Sequence, residues 1–166
     1  FRQLQEFTIL IDPDLIDTHG DGTRDVIEQA SPNSGDANDD SINDDQQDNV
    51  TSIINPITNN YVTVESNCNA NDNVDVDPNT GDTAFSYPYG MTEFTITCTN
   101  PGDSATIQLF FYESEDASSY ILRKFDGTDY DTVGDYSIQE STITGNSVII
   151  VTYNICLLYT SDAADE

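Results

Sequence analysis

Positive charge is what this sequence lacks most. Its 166 residues hold four lysines and arginines in all, Arg2, Arg24, Arg123 and Lys124, against 31 aspartates and glutamates, for a formal net charge of -27. Binding to nucleic acid or to an anionic membrane begins with basic side chains neutralising phosphates, so both classes of partner are excluded. Histidine is scarcer still, with His19 the only one. There is no G-x-S-x-G sequence, neither Cys68 nor Cys98 has an activating partner nearby, and no particular pair of acids stands out for glycoside chemistry. The chain therefore reads as not an enzyme. It also lacks an apolar run near the ~18 residues that a membrane helix needs, and a charged segment leading into an apolar one that would mark a signal peptide. The chain opens on Phe1 rather than Met, so this last absence describes only the stretch of sequence in hand.

What is present points to β structure. Val, Ile, Thr, Tyr and Phe collect in short alternating runs, NNYVTVES, TEFTITCT, SATIQLFFY, SYILRKF and SVIIVTYNI, separated by Asn, Gly, Pro and Asp clusters. In the third run Ala105, Ile107, Leu109 and Phe111 fall on one face and Thr106 and Gln108 on the other, which predicts a sheet buried on one side. The expected fold is mostly β, an antiparallel β-sandwich of jelly-roll or Ig-like type preceded by an irregular Asp-rich calcium-loop segment. Helix should be confined to short turns around 24–29 and 44–48.

The organisation along the chain follows from composition. Residues 1–11 end in FTILI, a strand candidate that either belongs to an upstream region or caps this one. Residues 12–50 form an acidic segment with too few apolar groups for a core of its own. Residues 51–155 carry the alternating runs of the sandwich. The last eleven residues, 156–166, read CLLYTSDAADE and resemble the translation of a transposon sequencing-library adapter. On that reading Cys156 is not native, and Cys68 and Cys98 remain as an even pair. Phe94, Ile96 and Cys98 share a strand face, which turns the Cys98 sulfur toward the core. A Cys68–Cys98 bridge closes a loop of about 30 residues and contributes about 3 to 4 kcal/mol by restricting the unfolded chain. The alternative is two buried free thiols.

The acidic segment holds twelve acids between Asp12 and Asp48 against the single base Arg24, and they are spaced rather than scattered. In DTHGDGTRDVIE, Asp17, His19, Asp21, Gly22, Thr23, Asp25 and Glu28 stand at positions 1, 3, 5, 6, 7, 9 and 12 of an EF-hand-type loop. A calcium ion takes six to eight oxygens at about 2.3 to 2.6 Å, and alternate residues of a tightly turning loop supply them. Gly22 allows the turn, Thr23 offers its carbonyl, and Glu28 closes the site with both carboxylate oxygens. His19 departs from the pattern, because imidazole nitrogen is a poor calcium ligand; the expectation is that it points to solvent. Nineteen residues on, Asp36, Asn38, Asp40, Ser41, Ile42, Asp44 and Gln47 occupy the same seven positions. Ser41 in place of glycine and Gln47 in place of glutamate predict a weaker site, with Asp45 or Asp48 as alternative closing ligands.

A solvated acidic linker is the plain alternative, since charge runs usually are that. Adaptation to saline water would also explain the total charge. Neither accounts for two copies in register. Val26, Ile27 and Ile42, just after the turns, read as small packing anchors.

With these residues on the page, the chain resembles the bacterial choice-of-anchor U domain family. The likeness runs from DxxGDGTRDVIE through ASPNSGDANDDSINDDQQDNVTSI, NNYVTV and the Cys68 region to FSYPYGMTEFTITCTNPGDSATIQLFF and SYILRKF, most of residues 17–155. Its most specific parts are Pro32, Asn33, Gly35 and Asp36, then Gln46, Gln47 and Asn49, and the turn Tyr87-Pro88-Tyr89-Gly90. The resemblance implies an exported protein, anchored by one of several C-terminal signals, whose domain is not known as a catalyst. The Gly/Asp-rich ending and anchor it leads one to expect do not follow here, in keeping with the adapter reading. The acidic repeats are also similar to thrombospondin type 3 calcium repeats.

The functional expectation is a non-catalytic, calcium-stabilised structural module of a larger anchored protein, extracellular or at the cell surface. Its partners are calcium and the upstream and downstream domains of its own chain. A second expectation is a calcium-assisted module that binds cell-surface glycans or proteins, with Tyr87, Tyr89, Tyr112, Tyr120 and Tyr130 as exposed stacking platforms.

Overall fold

The computed structural model describes residues 15–78, 80–100, 104–114 and 116–156. The FTILI strand candidate and residues 157–166 of the adapter-like tail lie outside them.

The described residues hold nine strands: β1 Val50–Ile54, β2 Tyr61–Ser66, β3 Ala70–Asp77, β4 Met91–Thr97, β5 Ser104–Tyr112, β6 Arg123–Phe125, β7 Tyr130–Thr132, β8 Tyr136–Ile143 and β9 Asn146–Cys156. They form a five-stranded antiparallel sheet ordered β1-β2-β5-β9-β8 and two antiparallel hairpins, β3-β4 and β6-β7. This is the expected mostly β, sandwich-like class. The runs at 59–66, 92–99, 104–112 and 147–155 are strands as expected, whereas the run at 119–125 keeps only its last three residues, β6. Helix is limited to short pieces, chiefly α1 Asp25–Gln29 and a 3-10 turn at Asp44–Gln46, the two places where turns were expected.

The main core lies between one face of the large sheet and the β3-β4 hairpin. Val62 and Val64 of β2, Ala105, Ile107 and Leu109 of β5, and Ile149 and Val151 of β9 meet Val74 and Val76 of β3, with Phe94 and Ile96 of β4 packed against them. Each set alternates along its strand, so every second side chain points into this layer. Cys68, after β2, is bonded to Cys98, after β4, with Cα atoms 4.6 Å apart at a sequence separation of 30. The bridge ties the hairpin to the sheet at the edge of this core. Gly90, in the Tyr-Pro-Tyr-Gly turn before β4, has φ +72°, and a Cβ there would lie 2.8 Å from Asp77 O and from side-chain carbons of Ile57 and Val76. Only glycine lets the turn close down on the end of β3.

The other face of the sheet is also covered, which the alternation in β5 did not suggest. Phe110, Tyr112, Val148 and Ile143 bury themselves there with Ala37 of the acidic segment. The Tyr112 hydroxyl donates to Ala37 O at 2.5 Å, and the Tyr61 hydroxyl to Ile27 O at 2.9 Å. The segment at 15–49 is therefore docked on the sheet rather than a solvated linker. Its anchor is Ala37, fully buried, while Val26 and Ile42, expected to pack, are 38% and 48% exposed. Tyr112 is likewise buried and offers no exposed platform.

Candidate metal centre

The two acidic loops, loop 1 at 17–28 and loop 2 at 36–47, share their backbone hydrogen bonds at the fifth and ninth positions and differ by one donor at the first. At the first position, Asp17 accepts the N–H groups of Gly20 and Gly22, and Asp36 accepts those of Asp40 and Ser41. At the fifth, Asp21 accepts the Thr23 N–H at 2.7 Å and Asp40 the Ile42 N–H at 2.8 Å. At the ninth, Asp25 accepts the Thr18 N–H at 2.7 Å and Asp44 the Ala37 N–H at 3.0 Å, in each case from the second residue of the loop. Backbone conformation repeats too. Positions 4 and 6 are left-handed in both loops, with φ of 73° and 97° at Gly20 and Gly22, and 62° and 76° at Asp39 and Ser41. Loop 2 thus makes the turn without glycine, holding Ser41 in a conformation that costs an L-residue about 1 kcal/mol.

Both loops rest on Ser52 of edge strand β1, a residue to which no sequence signal pointed. Its N–H donates to Glu28 Oε1 at 3.4 Å, and its hydroxyl lies 2.6 Å from both Asp44 Oδ2 and Thr63 Oγ1. Ser31 donates to the same Asp44 carboxylate at 2.9 Å. The twelfth position of loop 1 and the ninth of loop 2 therefore converge on one strand, and Glu28 also caps part of an open sheet edge.

Glu28 and Asp44 are fully buried and Asp21 is 1% exposed, yet no lysine or arginine is buried with them among the described residues. Desolvation, reinforced by Asp21, Asp44 and Asp25, pushes the Glu28 carboxyl up to about 9. Desolvation also raises Asp44 to about 6, although hydrogen bonds from Ser52, Ser31 and Ala37 oppose it. Asp21 is raised by burial, with Thr51 and the Thr23 N–H pulling the other way. Asp25 is held below its usual range: burial opposes this, but the Thr18 hydroxyl and N–H bonded to its two oxygens prevail. Clustered carboxylates out of contact with water are costly unless a counter-charge meets them.

The donor set fits a cation. Asp21 Oδ2, Glu28 Oε2 and Asn38 Oδ1 are buried oxygens without a hydrogen-bond partner, and they stand at positions 5, 12 and 3 of their loops. One donor atom from each of His19, Asp25 and Glu28 lies within 4.8 Å of the other two. In loop 2 the Gln47 amide reaches back over the loop, 3.3 Å from Asp40 Oδ1 and 3.3 Å from Ile42 O, which puts the twelfth residue against positions 5 and 7. The alternative closing acids are engaged elsewhere: Asp45 accepts Gln29 Nε2 at 2.7 Å, and Asp48 lies 4.0 Å from His19 Nε2 of loop 1. His19 departs from expectation, since its side chain is only 7% exposed. Thr23, at the seventh position, is buried.

No family model matches the chain, and no curated protein or solved structure is significantly similar to it.

Proposed function

We propose that the protein is a non-catalytic structural module in which calcium, held by loops 1 and 2, locks the acidic segment onto a disulfide-linked β-sandwich. The observation that carries this reading is the repeated wiring of the loops together with buried, unpartnered oxygens at their ligand positions. Asp17, Asp21, Asp25, Glu28 and the Thr23 carbonyl would hold one ion. Asp36, Asn38, Asp40, Asp44, Gln47 and the Ile42 carbonyl would hold the other. Each ion supplies the positive charge that the buried carboxylates lack, so binding and docking of the segment are one equilibrium. The Cys68–Cys98 bridge fits an oxidising compartment. No helix among the described residues is long and apolar enough to cross a membrane. An extracellular or surface-exposed module of an anchored protein, as the likeness to choice-of-anchor U domains suggests, is consistent with both.

Calorimetric titration with calcium, paired with thermal melts in calcium and in chelator, tests the reading. The expected result is saturable binding of about two ions and a higher melting temperature in calcium, both lost in an Asp21→Ala, Asp40→Ala double variant. Absence of binding at millimolar calcium would overturn it.

A second reading, glycan binding, is favoured by an aromatic groove where Tyr87, Tyr89, Tyr120, Phe125 and Tyr130 line an opening beside the large sheet. Phe125 and Tyr130 stack at 4.6 Å between centroids, and Tyr89 packs on Phe111 at 4.9 Å, so much of the ring surface is already used within the protein. Uniformly absent signal on a glycan array would leave the structural role alone.

A further inference from the structure

Loop 1 differs from loop 2 in one donor that calcium does not use. His19 occupies the third position, and its side chain is 93% buried, the complement of its 7% exposure. Its Nδ1 has no hydrogen-bond partner, as is true of Asp21 Oδ2 and Glu28 Oε2 beside it. An imidazole nitrogen shut away from water without a partner is costly, so its position asks for an acceptor of its lone pair or for a proton acceptor. The groups around it are carboxylates: Asp25 and Glu28 present donor atoms within 4.8 Å of it and of each other. The Asp48 carboxylate stands 4.0 Å from Nε2, the other ring nitrogen. An outer acid on the second nitrogen is what orients a metal-bound histidine, and Asp48 is the acid near enough to His19 to close to hydrogen-bonding distance when an ion is bound.

We propose that loop 1 is a mixed nitrogen–oxygen site that takes a zinc-class transition dication through His19, Asp25 and Glu28, in competition with calcium, whereas loop 2 answers to calcium alone. The inference rests on the reading of the loops as cation sites and concerns which ion loop 1 selects. Imidazole favours zinc and its neighbours over calcium, which binds oxygen. In loop 2 the equivalent third residue is Asn38, whose amide oxygen suits calcium. Three donors from His19, Asp25 and Glu28 supply the three protein ligands of a zinc site that leaves its fourth position to water. Two neighbouring loops would then report different ions, and zinc would displace calcium from only one of them.

The test uses the full chain without an affinity tag, titrated with zinc and, separately, with calcium. Because His19 is the only histidine, its ring nitrogens give the only imidazole resonances in the nitrogen-15 NMR spectrum. Zinc is expected to shift the Nδ1 resonance and to bind one site at least about tenfold more tightly than calcium binds there. Calcium, which the imidazole does not ligate, is expected to move that resonance far less than zinc does. His19→Asn should weaken zinc at this site by at least about tenfold while calcium binding at both loops persists. Zinc saturation with the His19 signal unmoved, or unchanged zinc affinity in His19→Asn, would overturn the proposal. The wild-type spectrum decides the matter without the variant. Calcium failing to bind loop 2 in the same samples would instead overturn the calcium reading, and leave the zinc result to be judged on its own.

Discussion

Between Asp17 and Glu28 the chain closes its loop with a buried glutamate, and between Asp36 and Gln47 it closes a similarly wired loop with a neutral amide. The fifth and ninth residues make the same backbone hydrogen bonds in both, and the first accepts from the sixth in both. The difference lies in where the negative charge is buried. Loop 1 hides it at position 12, where Glu28 has one weak hydrogen bond among the described residues, 3.4 Å from the Ser52 N–H. Loop 2 hides it at position 9, where Asp44 accepts from Ser52, Ser31 and Ala37. A carboxylate with three partners tolerates burial far better than one with a single distant partner, which is why Glu28 is driven up to about 9 and Asp44 only to about 6. The comparison teaches that similar loop geometry can bury its charge at different positions and meet it with very different numbers of the protein's own donors.

The largest expected effect is the dependence of ion-free stability on pH. Glu28 and Asp44 have folded-state values above their unfolded ones, so the folded chain binds more protons. Their contribution is full below the unfolded carboxylate range and is lost as pH rises, through about 6 for Asp44 and about 9 for Glu28. In chelator, the melting temperature should fall by at least about 5 °C between pH 5 and pH 8. In saturating calcium the ion takes the place of the protons, and the fall should vanish or reverse. A rise with pH in chelator would mean that Glu28 is ionised and solvated, and the contrast between the loops would collapse.

Exchanging the closing residues should come next in size. Glu28→Gln is expected to abolish the loop 1 ion while raising the chelator-state melting temperature by about 2 to 4 °C, because a neutral amide takes the place of a buried carboxylate. Gln47→Glu should tighten calcium at loop 2 by about tenfold, since affinity follows the number of charged ligands. Calorimetry on the two variants separates the sites. Matching effects from the two exchanges would show that the loops do not divide their charge as described.

The smallest expected effect concerns the turns. Ser41 carries φ 76° where loop 1 has Gly22 at 97°. Ser41→Gly should stabilise the chain by about 0.5 to 1 kcal/mol, and Gly22→Ser should cost about as much, measured by denaturant unfolding in calcium. An unstable Ser41→Gly variant would mean that the serine side chain holds the turn.

Alternation made four of the nine strands readable at close to full length, because side-chain direction along a strand is set by local backbone geometry. It left out β1, β3, β7 and β8. The run ANDNVDVD of β3 looks like a loop by composition, and only Val74 and Val76, turned into the core, reveal it as a strand. The half-buried placement of Cys98 on the face of Phe94 and Ile96 was legible for the same local reason, and the bridge to Cys68 follows from the hairpin folding over the sheet.

The sequence by itself determined the register of the two acidic loops, the turn positions within them and the candidate ligands, since spacing along a tight loop is a matter of adjacent torsion angles. Tertiary structure alone decided what those ligands face. Ser52 becomes a shared platform because β1 lies at the edge of the sheet, and Ala37 becomes the anchor because Tyr112 reaches it across 75 residues of sequence. His19 is buried against Asp25 and Glu28 rather than exposed, because the loop folds back on the sheet edge instead of standing in water. Burial and charge neighbours are sums over contacts distant in sequence, and no local pattern carries them.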